Sequence, residues 1–321
     1  MTSTLLRRTG PAAAAAALVS VVLTACGSST STPQPPGAAA GSGGGGDSYD
    51  SIIQGGPKAD DSAISASSWA QVVRKQGFLR VGGTDAGPLF SLKDPTTGKL
   101  TGFDAGLGQM LAHYITGKTD VQALTQLTIT TVDTRETLLQ NNSVDAVLAT
   151  YTITPARAEK VDFAGPYYES GDAIMVKADN DSIKSVDDLH GKKVATESNS
   201  TAALALQEQV PDAQVTLFQQ DAECVAAVQQ GRVDAYVLDQ GILISDASTN
   251  KAVKVVGQPF TQEPYGIGLP KGQGGAKQFV NDFLTKIYDD GSWAKLWKAT
   301  IGTIVKGDAP KPPTIGSAPG S

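Results

Sequence analysis

Short apolar runs recur through the middle of the chain: FLRVGG at 78–83, LTITTV at 127–132, VDAVLA at 144–149, AIMVK at 173–177, KKVAT at 192–196, QVTLF at 214–218, VDAYVL at 233–238, VKVV at 253–256 and YGIGL at 265–269. Their length and β-branched content predict buried strands. Between many of them the apolar positions change to helical spacing. Phe103, Leu107, Met110, Leu111 and Tyr114 fall on one face, as do Phe279, Phe283, Leu284 and Ile287. Alternation of this kind predicts an α/β fold of parallel sheets with helical crossovers. The stretch LLQNNSVDAVLAT at 138–150 is echoed by AVQQGRVDAYVLD at 227–239, at an offset of 89 residues. Both read as a helix end, a polar turn and a buried strand opening on Val-Asp-Ala. The echo points to two lobes of related construction; the other reading is coincidence within a common βαβ element. Ligands of open α/β sheets bind beyond the carboxyl ends of strands, which directs attention to Thr150–Thr152 and to Asp239.

The ends of the chain follow other rules. Arg7 and Arg8 precede an apolar, alanine-rich run from Pro11 to Val22 and the tetrapeptide Leu23-Thr24-Ala25-Cys26. The run is shorter than the roughly 20 residues a spanning helix needs, so residues 1–25 read as a lipoprotein signal peptide cleaved before Cys26. The alternatives are a signal that happens to end near a cysteine, or a short hydrophobic helix. A lipidated Cys26 carries two or three acyl chains, palmitate among them, enough for stable anchoring. Residues 26–62, rich in Ser, Gly and Pro, predict a disordered tether, and 304–321 a disordered tail. The GSGGGG at 41–46 matches a dinucleotide-binding pattern, but no strand precedes it and no helix follows.

Cleavage removes Arg7, Arg8 and no acid, so the formal net charge moves from −6 to −8. An acidic surface is a poor partner for nucleic acid. With Cys26 committed to lipid, Cys224 has no partner for a disulfide, and its neighbours Val225 and Val228 predict a buried, inert thiol. His113 and His190 are the only histidines, and no metal, nucleophile or phosphate-loop motif is present. The expectation is therefore no cofactor, no metal and no catalysis, although 32 acidic residues leave paired carboxylates open.

Two places carry candidate chemistry. Thr154 suits an N-cap and Pro155 the first helical position, which puts Arg157 in the first turn of a helix. Free backbone N–H groups, the helix dipole, a threonine hydroxyl and the guanidinium would converge there on a carboxylate, unless Arg157 is simply a solvated residue. In the other half, Thr196 to Thr201 follows a strand and opens a helix, while Asp239 ends the echo strand. An Asp there neutralises an ammonium, if it is not merely a turn former. One Arg and one Asp fit a zwitterion. Four or five charged hydrogen bonds at about 1.5–3 kcal/mol each support affinity near micromolar, about −8 kcal/mol.

These residues stand within a series of motifs: GFLRVG, GKLTGFD at 98–104, VDAVLATYTITPAR at 144–157, VDFAGPYYESG at 161–171, DLHGKKVA at 188–195, YGIGL and a closing DGSW at 290–293. In this order, from about Trp69 to Thr303, the chain resembles the polar amino-acid solute-binding proteins of ABC importers, and in particular actinobacterial glutamate- or glutamine-binding lipoproteins. The resemblance implies a two-lobe periplasmic-binding-protein (Venus-flytrap) fold. One lobe would comprise 69–166 plus 266–303 and the other 167–265, joined by hinge strands near Tyr167–Gly171 and Glu263–Tyr265. It implies that Arg157 and Thr152 hold the ligand carboxylate, Thr150 offers its carbonyl to the amine, Asp239 takes the ammonium and Thr201 adds a backbone N–H. Arg135 aligns with an arginine that meets a side-chain carboxylate, and Asp85 and Phe90 with the wall of the side-chain pocket. It further implies a cysteine near 195 to pair with Cys224, where this chain has Ala195. Glu197, if it points inward, opposes a carboxylate side chain and favours an amide. The implied partners are a free amino acid and a permease, for a monomer held by lipid at the cell membrane and facing outside the cytoplasm. A sensor lipoprotein and a dehydratase-like lyase are the alternatives.

Overall fold

The computed structural model describes residues 47–321. The expected signal peptide, Cys26 and the first part of the expected tether lie outside the described residues. The first helices are α1 (Tyr49–Gln54), α2 (Asp61–Ala66) and α3 (Ser68–Gln76). Then come β1 (Leu79–Gly83), the small hairpin strands β2 (Ala86–Gly87), β3 (Ser91–Lys93) and β4 (Leu100–Thr101), α4 (Phe103–Thr116), β5 (Thr125–Ile129), α5 (Arg135–Gln140), β6 (Ala146–Val147), α6 (Pro155–Ala158) and β7 (Asp162–Ser170). The chain continues through β8 (Asp172–Lys177), β9 (Lys193–Glu197), α7 (Thr201–Gln209), β10 (Gln214–Phe218), α8 (Asp221–Gln229), β11 (Ala235–Asp239), α9 (Gln240–Thr249) and β12 (Val253–Val256). It closes with β13 (Glu263–Leu269), α10 (Ala276–Asp289) and α11 (Ser292–Ala299).

Two five-stranded sheets organise the molecule, in the orders β5-β1-β6-β13-β7 and β10-β9-β11-β8-β12. Both are mixed rather than parallel. β1 runs parallel to β5 and β6, but β13 opposes β6 and β7; β9 runs parallel to β10 and β11, but β8 opposes β11 and β12. Apolar patterning records burial and not strand direction, so the expectation of parallel sheets captured only the crossover halves. Each sheet has its own buried core, one around Leu107, Phe103, Phe283 and Trp293, the other around Met175, Val194, Leu206 and Tyr236. The chain passes between sheets twice, at Gly171 and between Val256 and Glu263. The two crossings touch: a Cβ on Gly171 would collide with the Thr261 carbonyl oxygen.

The sequence echo has a structural counterpart. Asp145 accepts from the Arg80 backbone N–H at 2.8 Å and returns its own N–H to Arg80 O at 2.8 Å. Asp234 does the same with Lys193, at 2.9 and 2.8 Å. In both halves the Val-Asp-Ala aspartate therefore locks the echo strand to the start of its parallel neighbour.

Three expectations change. The tether to residue 62 is helical over α1 and part of α2, with Ile52 and Ile53 buried against the first core. Ser48 and Asp60 cap these helices, a local signal masked by the low-complexity composition around them. Residues 304–321 pack on the first lobe, with Ile304, Val305, Ala309 and Ile315 against its core. Finally, α4 is buried on every side from Phe103 to Ile115, not on one face. The added N-terminal helix covers its outer side, where Tyr49 Oη donates to Gln109 Oε1 at 2.8 Å. Cys224 is a buried free thiol on α8, as its neighbours predict.

Candidate ligand-binding site

The loop after β6 is the centre of the site. Thr150 adopts φ 45°, a left-handed conformation costly for a β-branched residue. It is held there by Asp104 on α4, whose Oδ2 accepts from the Thr150 N–H at 2.7 Å and whose Oδ1 accepts from Tyr167 Oη at 2.8 Å. Burial pushes the Asp104 carboxyl up to about 6 in spite of these donors.

Two arginines flank the same loop. Arg135 donates Nη1 to the carbonyls of Ala149 (2.9 Å) and Thr150 (3.3 Å). Arg157 donates Nη1 to Thr152 O at 2.9 Å and Nη2 to Asn199 O, across the cleft, at 3.2 Å. The Tyr151 ring is near both, its centroid 4.3 Å from the Arg135 guanidinium carbon and 5.3 Å from that of Arg157. Thr154 caps α6 by accepting from the Arg157 N–H, and Pro155 fills the first turn, so the local geometry read from the sequence is present. Both guanidiniums are buried, Arg135 at 4% exposure and Arg157 at 9%. Burial, and then the neighbouring charge of Arg157, push Arg135 down to about 10, and its Nε has no partner.

The remaining candidates divide among three surroundings. Asp85, Phe90, Arg135, Thr150 and Glu197 line a cavity of about 450 Å³ between the lobes. Arg157 lines a neighbouring cavity of about 620 Å³ with Ser198, Asn199 and Ser200. Thr152, Asp239 and Thr201 line neither. Thr152 is buried with its carbonyl committed to Arg157, Thr201 is half-buried at the first turn of α7, and Asp239 is buried with Tyr265 Oη donating to it at 2.8 Å.

Sequence reasoning missed the carboxylates that accompany these residues. Asp172 stands opposite Asp239 in the β8–β11 register, is fully buried, and has no hydrogen-bond partner on either oxygen. Glu263, at the start of β13, receives the Thr261 hydroxyl at 3.0 Å on Oε1 and nothing on Oε2. Burial and then the charges of Asp239 and Glu263 raise Asp172 far above the carboxylate range. Burial and then Glu263 push Asp239 up to about 7, with Arg135 and Arg157 pulling the other way. In the 450 Å³ cavity, Asp221 and Asp246 join Glu197; burial, followed by the charge of Asp221, raises Glu197 and Asp246 each to about 8. Among the described residues no group of His, Cys, Asp and Glu is arranged to hold a metal ion.

The lobes meet around these groups: Leu89 donates its N–H to Ser245 Oγ at 3.2 Å, Asn199 donates to Asp133, and Phe90 packs over Gly241, where a Cβ would meet the ring at 2.8 Å. A two-lobed cleft with opposite charges at its seam defines a class of protein that binds a small charged solute between its lobes. Residues 79–303 match the bacterial extracellular solute-binding proteins, family 3, and the chain belongs to that family. An ABC transporter glutamine-binding protein of Bacillus subtilis is 38% identical over 214 residues, covering 66% of this chain and 77% of that protein. A glutamate-binding protein of Corynebacterium efficiens is 32% identical over 71% of this chain and 80% of its own length. Among solved structures, an ancestral arginine-binding protein bound to glutamine superposes with a TM-score of 0.64 at 36% identity, covering 70% of this chain and 98% of that one.

Proposed function

We propose that this protein captures a free polar amino acid outside the cytoplasm and delivers it to an ABC permease, held at the membrane by lipid on Cys26. The observation that carries the reading is the separation of charge across one loop. Arg157 and Arg135 both lie over the Tyr151 ring, while Asp239 at the end of β11, Asp172 at the start of β8 and Glu263 at the start of β13 supply the acids, with both arginines favouring the ionised form of Asp239. An α-carboxylate beside Arg157 and an α-ammonium beside Asp239 would pair each pole of a zwitterion with the opposite charge. Membership in the solute-binding family and the transporter relatives support the importer role. The anchor rests on the Leu23–Cys26 lipobox; among the described residues no helix is long and apolar enough to cross a membrane.

The side-chain cavity favours glutamine over glutamate. Asp85, Glu197, Asp221 and Asp246 outnumber Arg135 there, so a second ligand carboxylate would enter against four acids, whereas an amide NH₂ can donate to Glu197. Glu197→Gln is expected to narrow the glutamine-to-glutamate affinity ratio at least about tenfold, as one charge contact of about 1.4 kcal/mol requires. Equilibrium dialysis with the two radiolabelled ligands reads the ratio. Deleting the gene should remove high-affinity uptake of the same amino acid, and Cys26→Ser should release the protein from the membrane. Uptake unchanged in the deletion strain would end the importer reading.

A further inference from the structure

The family match stops at residue 303, yet the chain from Ile304 to Ser321 is built into the first lobe. Ile304, Val305, Ala309 and Ile315 run along the main core. The Gly316 N–H then donates to Gly165 O at 2.8 Å, and Ala318 ends at 7% exposure. Its surroundings are specific. Ala318 belongs to a small apolar cluster with Tyr151, Ile153, Val161 and Phe163, all of them in or beside the loop that carries Arg157 and whose Thr150 carbonyl accepts from Arg135. Gly320 lies against the same loop: a Cβ there would sit 2.8 Å from Ala158 Cβ and 3.3 Å from Thr154 O, the carbonyl of the residue that caps α6. Gly320 also has φ 102°, a conformation open to glycine and costly for other residues.

This loop needs support from behind. The helix that orients Arg157, α6, has only four residues, too few to hold a helical turn without tertiary contacts. Thr150 at its start is in a left-handed conformation. Asp104 secures the loop from the α4 side through the Thr150 N–H, and Lys271 reaches the Ala158 carbonyl at 2.5 Å. The outer face of the loop, under Tyr151 and Ile153, is covered by Ala318 and Gly320.

We propose that residues 304–321 form a positioning strap, and that Ala318–Gly320 hold the 150–158 loop so that the Arg157 guanidinium stands where the ligand carboxylate binds. The ligand-affinity part rests on the reading of Arg157 given above; the positioning part does not. In the full chain, Gly320→Val and the milder Ala318→Gly are compared with Lys311→Ala, an exposed position along the strap. Hydrogen exchange reports on the loop amides, and titration with L-glutamine and L-glutamate reports on binding. The expected result for both strap variants is exchange of the Ile153 and Ala158 amides at least about tenfold faster, with the β9 amides of the other lobe unchanged, and amino-acid affinity at least about fivefold weaker; Lys311→Ala changes neither. Unchanged loop exchange in Ala318→Gly and Gly320→Val overturns the strap. Faster exchange with unchanged affinity overturns its positioning role. If the unaltered chain binds neither amino acid, that result counts against the binding reading, and the exchange measurement still decides whether the strap holds the loop.

Discussion

Replacing Arg157 with alanine is expected to abolish measurable amino-acid binding in a protein that still folds. The guanidinium is buried, and its two bonds to Thr152 O and Asn199 O fix it between the lobes. Losing one partner of a buried charge pair costs about 2–5 kcal/mol, so affinity should fall from near micromolar by at least about 30-fold and up to several thousandfold. Arg157→Lys should recover little, because an ammonium cannot reproduce two fixed donors while facing a planar carboxylate. The loss is expected to be larger than for Arg135→Ala, since Arg135 lines the side-chain cavity and faces only the variable part of the ligand, whereas Arg157 faces the α-carboxylate every amino acid carries. Titration calorimetry with thermal unfolding as a control separates lost binding from lost fold.

The second large effect is a pair of opposed pH dependences. Asp172 is held above the ordinary carboxylate value of about 3.9 by burial and the charges of Asp239 and Glu263, Asp239 by burial and the charge of Glu263, and Glu197, Asp246 and Asp104 are raised as well. Each of these groups binds its proton more tightly folded than unfolded. Their contribution is therefore fully present below about pH 4 and is lost as pH rises through the folded values, about 6 for Asp104, 7 for Asp239 and 8 for Glu197 and Asp246. The ligand-free protein should lose about 3 kcal/mol of stability or more between pH 5 and pH 8.5, and Asp172→Asn should flatten that slope. A midpoint of thermal unfolding that rises over the same range would contradict this. Ligand affinity should move the other way. An ammonium beside Asp239 favours the ionised carboxylate, so binding at pH 6 releases a proton and weakens by up to about tenfold per unit below Asp239's value of about 7. Calorimetry in buffers of different ionisation enthalpy detects that proton.

Much of this arrangement was legible in the sequence. The 89-residue echo marked one strand in each of the two sheets, and its aspartates, Asp145 and Asp234, make matching contacts there. Thr154, Pro155 and Arg157 announced their short helix because caps and first-turn prolines are local signals. The strand β7 was not legible as such: Gly165 and Pro166 interrupt its pattern, and its partner β13 is nearly 100 residues away. The carboxylates Asp104, Asp172, Asp221, Asp246 and Glu263 were invisible for another reason. A buried acid looks like any other acid in a chain with 32 of them, and only tertiary packing shows which face one another. The helices at 49–66 and the strap at 304–321 were hidden by composition, since Ser, Gly and Pro dilute the few residues that anchor them, Ile52, Ile53, Ile64, Ile315 and Ala318.

The central claim is that the cleft between the two sheets closes on one amino-acid zwitterion. It is tested most directly by calorimetric titration, at pH 7.5, of the chain from Asp47 onward with each of the twenty amino acids. The account predicts saturable binding of one ligand per chain near micromolar, tightest for a polar side chain, with glutamine ahead of glutamate. No heat of binding from any of them below millimolar concentration would contradict it.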